Sequence, residues 1–91
     1  MGPRITINLT AGGEFEMWLN EEGRDLLVQR LQRLNEDNDH FHLMPKYIPS
    51  DVAVSLRPYR PDDKILEWGK IYFRTDDWDK EHYPHVMEDT P

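Results

Sequence analysis

Residues 21–35 have the pattern of one amphipathic helix, and no other stretch constrains the fold as strongly. Asn20 precedes them as a favourable N-cap. Because this is the only long amphipathic helix in the sequence, its apolar stripe can be buried only on the face of a sheet formed by the rest of the chain. The stripe consists of side chains that recur at helical spacing, namely Leu26, Leu27, Val28, Leu31 and Leu34.

Two segments before the helix alternate apolar and polar residues with the period of a half-buried strand. The turn between them, TAGG, contains two glycines, which reach positive φ without steric cost. The sequence therefore predicts a β-hairpin. Its inward-facing side chains are Ile5, Ile7 and Leu9 in the first strand and Phe15, Met17 and Leu19 in the second.

Strand-like segments also follow the helix, at residues 40–44, 52–56 and 64–74. Gly69 marks a bulge or a bend in the last of them. The order of elements predicts an α+β fold, a two-layer sandwich in which one amphipathic helix packs on one face of a mostly antiparallel sheet of four to five strands. The other face of the sheet is then either solvated or an interface.

The predicted elements form a single α+β domain over residues 1–74. Residues 75–91 are acidic and irregular, so we expect a C-terminal tail that is either docked through Trp78 and Tyr83 or partly disordered. The sequence contains no cysteine and no apolar stretch of the length of a signal peptide or a membrane span. We therefore expect a cytoplasmic protein that does not insert into a membrane.

The chain carries 18 acidic and 11 basic residues, a formal net charge of −7. Affinity for nucleic acid depends on lysine and arginine displacing counterions from phosphates, so this composition argues against binding of DNA or RNA. An acidic surface instead steers the association of a basic protein partner. The alternative is that the charge only keeps a small domain in solution.

The segment DNDHFHLMP carries two histidines, His40 and His42, which share one face of a predicted strand. Two imidazoles so placed can begin a metal site, but a complete site needs a third protein ligand. The alternative is that Phe41 and Leu43 pack inward while the histidines face outward, or that one histidine is buried with a backbone partner. Because nothing local requires a third ligand to approach, we predict no cofactor. Further ligands would have to come from Asp37, Asp39, His82 and His85.

Motifs of catalysis are missing from the sequence. There is no thiol nucleophile, neither Ser50 nor Ser55 lies in a G-x-S-x-G elbow, and no glycine loop precedes a helix as in a phosphate-binding site. A pocket of ligand size would also occupy core that a chain of 91 residues can hardly spare. We therefore predict that the protein is not an enzyme.

Aromatic and acidic residues of the predicted strands indicate a binding surface. With the apolar residues of the second strand facing the helix, Trp18 shares the opposite sheet face with Glu14 and Glu16. Trp68 and Tyr72 from the last strand extend this face. An aromatic anchor ringed by carboxylates suits a basic partner, so these five residues are the predicted partner-binding site. The alternatives are that the rings cover the open sheet face, pack beneath the tail or are buried in a homodimer.

The order of a hairpin, ITINLTAGGEFEMWL, a helix, EEGRDLLVQRLQRLNEDND, and the strand HFHLM is informative as a whole. Over residues 5–73 it resembles the small α+β immunity proteins of bacterial polymorphic toxin systems, specifically the family catalogued as immunity protein thirty-two. The most specific part of the resemblance lies at His40, His42 and Leu43. The loop PKYIPSD and the acidic tail depart from the family pattern.

The resemblance implies that the protein neutralises a cognate toxin in the cytoplasm by direct binding. Many toxins of such systems are nucleases, and a basic nuclease active site would explain an acidic inhibitor. No contact residue is carried over from the family. The alternative function is that of a structural or regulatory homodimeric domain.

Overall fold

The computed structural model describes residues 2–88, and it confirms the predicted α+β class. Among these residues no helix is long and apolar enough to cross a membrane. The elements, in chain order, are β1 (Ile5–Leu9), β2 (Phe15–Leu19), α1 (Glu21–Gln32), β3 (His40–Pro45), β4 (Val52–Val54), β5 (Lys64–Ile65), β6 (Gly69–Tyr72), α2 (Asp76–His82) and a 3-10 helix (Pro84–Glu88).

The strands form two open sheets of three strands each, not the single sheet of four to five strands that the sequence predicted. Sheet A has the strand order β2-β1-β5, and sheet B has the order β4-β3-β6. Strands β3 and β4 are parallel, and the other three pairings are antiparallel. The strand pairing is therefore mostly antiparallel, as expected, but it is divided between two sheets.

The segment predicted as the last strand, residues 64–74, is the reason for this division. Its first part, β5, pairs with the end of β1, whereas β6 pairs with β3 in the other sheet. Between them the Leu66 N–H donates to the Ile7 carbonyl oxygen at 2.8 Å, after which the chain leaves sheet A. Gly69 therefore begins a new strand and does not mark a bulge within a continuous one.

The predicted hairpin is confirmed, with a register that runs from Ile5 opposite Leu19 to Leu9 opposite Phe15. The Thr10 N–H donates to the Glu14 carbonyl oxygen at 2.8 Å and closes the turn. Gly13 has a φ of 87°, in the left-handed region that glycine reaches most easily. Gly13 thus has the positive φ that the sequence led us to expect of the turn glycines, whereas Gly12 does not.

Helix α1 is fixed at its N-terminus by Asn20, the predicted cap. The Asn20 Oδ1 accepts hydrogen bonds from the Gly23 N–H at 2.7 Å and from the Arg4 N–H at 2.8 Å. One amide side chain therefore caps the helix and joins it to the chain that enters β1. A Cβ atom at Gly23 would lie 2.4 Å from the Arg4 carbonyl oxygen, so this approach requires glycine.

The core lies between α1 and the inner faces of the two sheets. From the helix, Leu27 is buried and Leu26 and Leu34 pack against the core, but Val28 and Leu31 are each 45% exposed. On the edge strand β2, Phe15 and Leu19 were expected to face inward and are largely exposed, because the helix covers only part of the strand. The buried apolar residues are Ile5, Ile7, Leu27, Phe41, Leu43, Val52 and Val54.

The second face of sheet A is covered as well. Thr6 and Asn8 point away from the apolar core, yet they are only 1% and 0% exposed. The connection after β4, residues 57–63, lies over this face through Tyr59, which stacks on Trp18. The expectation of a solvated or interfacial second face is therefore wrong for sheet A.

The segment after residue 74 begins with a second helix. The Thr75 Oγ1 accepts a hydrogen bond from the Trp78 N–H at 3.1 Å and caps α2. No residue of α2 or of the following 3-10 helix is buried, and Trp78 contacts both Tyr83 and Arg74 by its ring. Residues 89–91, the end of the predicted tail, lie outside the described residues.

Candidate functional site

The outer face of sheet B is the part of the predicted binding surface that the described chain leaves open. In β3 the buried residues Phe41, Leu43 and Pro45 alternate with the half-buried His40, His42 and Met44. The two histidines therefore face outward while the apolar residues pack inward, as one of the alternatives from the sequence proposed.

Strand β6 adds aromatic and basic side chains to this outer face. Tyr72 lies opposite His40 and Lys70 lies opposite His42 in the antiparallel register. The ring of His40 contacts those of Tyr72 and His42, with centroid distances of 5.6 and 5.2 Å. Tyr72 is 53% exposed and Trp68, just before the strand, is 58% exposed. The face thus presents accessible rings next to imidazoles and an ammonium group.

Arg74 connects this face to α2. Its guanidinium group lies 5.1 Å from the ring centroid of Tyr72 and 4.5 Å from that of Trp78. It also forms an ion pair of 2.8 Å with Asp39, whose other carboxylate oxygen lies 2.8 Å from the His40 Nδ1. The hydrogen bond with His40 and the charge of Arg74 keep the pKa of Asp39 below its usual value, against the opposing effect of partial desolvation.

An acidic cleft of about 390 Å³ lies beside this network, between the α1–β3 turn and α2. Arg74 is its one basic lining residue among those described, and it is already paired with Asp39. Phe73 and Trp78 add rings to the wall. The cleft therefore combines a negative field with aromatic surface, which suits basic side chains of a partner. Its carboxylates are Glu36, Asp37, Asp39, Asp77 and Glu81.

Trp18 is placed differently from Trp68 and Tyr72. Its indole Nε1 donates to the Asn8 Oδ1 at 3.0 Å, and its ring stacks on Tyr59 with a centroid distance of 4.0 Å. Because the connection of residues 57–63 covers it, Trp18 is only partly exposed. The Trp18 ring therefore helps to cover the second face of sheet A, which was one of the alternatives to a binding surface in the sequence analysis.

The two predicted acidic residues near Trp18 have different environments. Glu14 is exposed at the hairpin turn. Glu16 accepts a hydrogen bond of 3.1 Å from the Asn8 amide and pairs with Arg60, which also binds Asp63 at 3.3 Å. The Asp63 Oδ2 is buried without a hydrogen-bond partner in residues 2–88. The five predicted site residues are thus divided between the hairpin turn, the covered face of sheet A and the open face of sheet B.

The histidines of the tail do not join those of the strand. The His82 Nδ1 lies 2.9 Å from the Trp78 carbonyl oxygen, and the His82 ring stacks on Trp78. Within residues 2–88 no group of three or more His, Asp or Glu side chains is arranged to hold a metal ion. His40 and His42 lie on the outer face of sheet B.

Sequence reasoning missed Arg74 and Tyr59 as elements of these surfaces, and it assigned Trp78 only to a possible docking of the C-terminal tail. For Tyr59 the segment RPYRPDD indicated only a proline-rich connection, and nothing in it indicated that the ring would stack on Trp18. For Trp78 the signal was Thr75 followed by three acidic residues and a tryptophan, TDDWD, which is a helix start.

The open face of sheet B and the acidic cleft meet at Asp39 and Arg74. Comparison of the chain with protein-family models, with curated proteins and with solved structures found no match.

Proposed function

We propose that this chain is a protein-binding module that neutralises a cognate bacterial toxin by direct binding, as an immunity protein, without catalysing a reaction. The observation that carries the proposal is the acidic cleft next to the open face of sheet B. Together they offer a partner a negative field for approach and exposed rings for contact. The partner would be a basic protein domain.

The carboxylates of the cleft support a basic partner because most of them are not used within the chain. Asp39 is paired with Arg74, but the other four form no ion pair with any residue in the described part of the chain. Like charges in one cleft repel each other, and an incoming lysine or arginine relieves that repulsion. The unpaired carboxylates are Glu36, Asp37, Asp77 and Glu81.

The test is a co-expression assay with a toxin domain whose gene neighbours the gene for this chain. We expect the unmodified chain to restore growth of cells that express the toxin, and the purified proteins to form a 1:1 complex. Trp68→Ala combined with Tyr72→Ala should weaken the complex, because Tyr72 lies on the open face, Trp68 directly precedes β6, and both rings are more than half exposed. Tyr47→Ala is the matched control, since Tyr47 is 68% exposed and lies outside this face.

Two results would contradict the proposal. One is that no complex forms at low salt with a folded toxin domain. The other is that the double variant protects cells as well as Tyr47→Ala does.

A homodimer is the second candidate, and a separate observation favours it. The edge strand β2 and the neighbouring face of α1 expose apolar side chains in one region of the fold, between 40% and 57% each. Sedimentation at high concentration decides the question, because a chain that remains monomeric has no stable dimer. The exposed residues are Phe15, Leu19, Val28 and Leu31.

A further inference from the structure

A groove of about 600 Å³ lies where the start of β1 approaches the end of β4, in the gap between the two sheets. The Ser55 N–H donates to the Ile5 carbonyl oxygen at 2.8 Å and forms the point of contact between them. From the sequence we expected that a pocket of ligand size would have to take volume from the core. This groove lies at the surface, and most of its lining residues are exposed. Its volume is typical of small-molecule sites.

The charged residues of the groove are all basic. Arg4, Lys46 and Arg57 line it, with no acidic residue or histidine among the described lining, on a chain whose net charge is −7. None of the three forms an ion pair with a described residue, whereas Arg60 and Arg74 do. Three unpaired cations around one concave surface favour an anion, which lowers their mutual repulsion.

The rest of the lining is mainly apolar. Pro3, Ile5, Ala53 and Leu56 contribute to the walls, and the Tyr47 ring is 68% exposed beside them. An inorganic anion alone would leave this apolar surface in contact with water. A ligand that carries its charge on an apolar body would bury this surface, which favours its binding over that of an inorganic anion.

We propose that the groove is a binding site for a small amphipathic anion, a carboxylate or phosphate group on a short apolar chain. The basic side chains bind the head group, and the apolar walls bind the chain. The site lies apart from the acidic cleft and shares no lining residue with it. It is therefore independent of the proposed function, and either proposal can fail without the other.

The test uses the full-length protein labelled with 15N and titrated with octanoate below its micelle concentration. We expect the amide signals of Lys46, Ala53 and Ser55 to shift, because these residues line the groove. Octyl phosphate in place of octanoate shows which head group binds more tightly. Inorganic phosphate and octanol, which supply the charge alone and the chain alone, should each bind at least about ten-fold more weakly than octanoate.

The variant Lys46→Ala/Arg57→Ala removes two of the basic groups and should weaken octanoate binding by about ten-fold or more. Lys64→Ala/Lys80→Ala changes the net charge by the same amount outside the groove and is the control. An unchanged urea midpoint shows that both variants are folded. The proposal is overturned when neither octanoate nor octyl phosphate shifts a groove signal, when octanol binds as tightly as the tighter of these two anions, or when the two double variants bind that anion equally.

Discussion

The indole ring of Trp18 and the phenol ring of Tyr59 are stacked, with centroids 4.0 Å apart and planes inclined by 14°. The two residues are far apart in sequence and belong to different structural elements, an edge strand and a proline-bounded connection. Their contact closes the second face of sheet A. It leaves the outer face of sheet B as the open one of the two.

This stacking predicts that Tyr59→Ala destabilises the protein. Loss of the aromatic pair and of the area that it buries should lower the free energy of unfolding by about 1–2 kcal/mol. Urea denaturation followed by far-UV circular dichroism measures the change. Tyr47→Ala is the matched control and should change stability little, because the Tyr47 ring is 68% exposed. Equal effects of the two substitutions would mean that the stacking contributes nothing.

The second prediction concerns Gly23→Ala, on whose stability helix propensity and steric contact with the neighbouring chain act in opposite directions. By helix propensity alone, Gly23→Ala should stabilise α1 by up to about 1 kcal/mol. The added Cβ atom would meet the Arg4 carbonyl oxygen at 2.4 Å, so we expect a net loss of about 1–3 kcal/mol instead.

The same urea titration tests this prediction with Gly12→Ala as its control. A Cβ atom at Gly12 would have its nearest neighbour at 3.8 Å, an ordinary contact. A stabilised Gly23→Ala variant would show that the helix moves away from Arg4 at little cost.

The features predicted correctly from the sequence are the local ones. Alternation and two glycines predicted the hairpin, and Asn20 predicted the start of α1. The alternation in HFHLM gave the outward direction of His40 and His42 as one of two alternatives. In each case the structure of a segment is determined by side chains within that segment, so residues close in sequence are sufficient to predict it.

The features that the sequence did not predict depend on contacts between distant segments. Residues 64–74 look like one strand, but whether they pair with β1 or β3 depends on the edge that each sheet leaves free. Trp18 alternates with inward residues and was assigned to an open face, which Tyr59 covers from another part of the chain. Such contacts depend on the topology of the fold, and the spacing of apolar residues within one segment does not show which distant segment it will contact.

The pair of Asp39 and His40 predicts how stability depends on pH. The pKa of Asp39 is lowered from its ordinary value of 3.8, so the carboxylate stabilises the fold at all pH values above 3.8. This contribution is lost as the pH falls below 3.8 and through the lowered pKa. The unmodified chain should therefore be more stable than Asp39→Asn at pH 6, and the difference should disappear in strong acid.

Urea midpoints measured from pH 6 down to pH 2.5 test this expectation. Asp51→Asn is the control, because Asp51 is exposed and forms no ion pair with a described residue. A difference between Asp39→Asn and the unmodified chain that stays constant across this range would contradict the role of the carboxylate.

The acidic cleft predicts that the rate of association with a basic partner depends on where charge is placed. Asp37→Lys combined with Asp77→Lys reverses two carboxylates of the cleft and should slow association with the toxin domain by about ten-fold at low salt. Asp51→Lys combined with Asp62→Lys makes the same change of net charge on exposed residues outside the cleft. Stopped-flow measurements at low and high salt should show that only the first variant loses most of the salt dependence of the association rate. Salt acts by screening the attraction between the cleft and the partner, and the first variant has already lost that attraction. If the two variants slow association equally, then steering follows from net charge alone and the cleft has no special role.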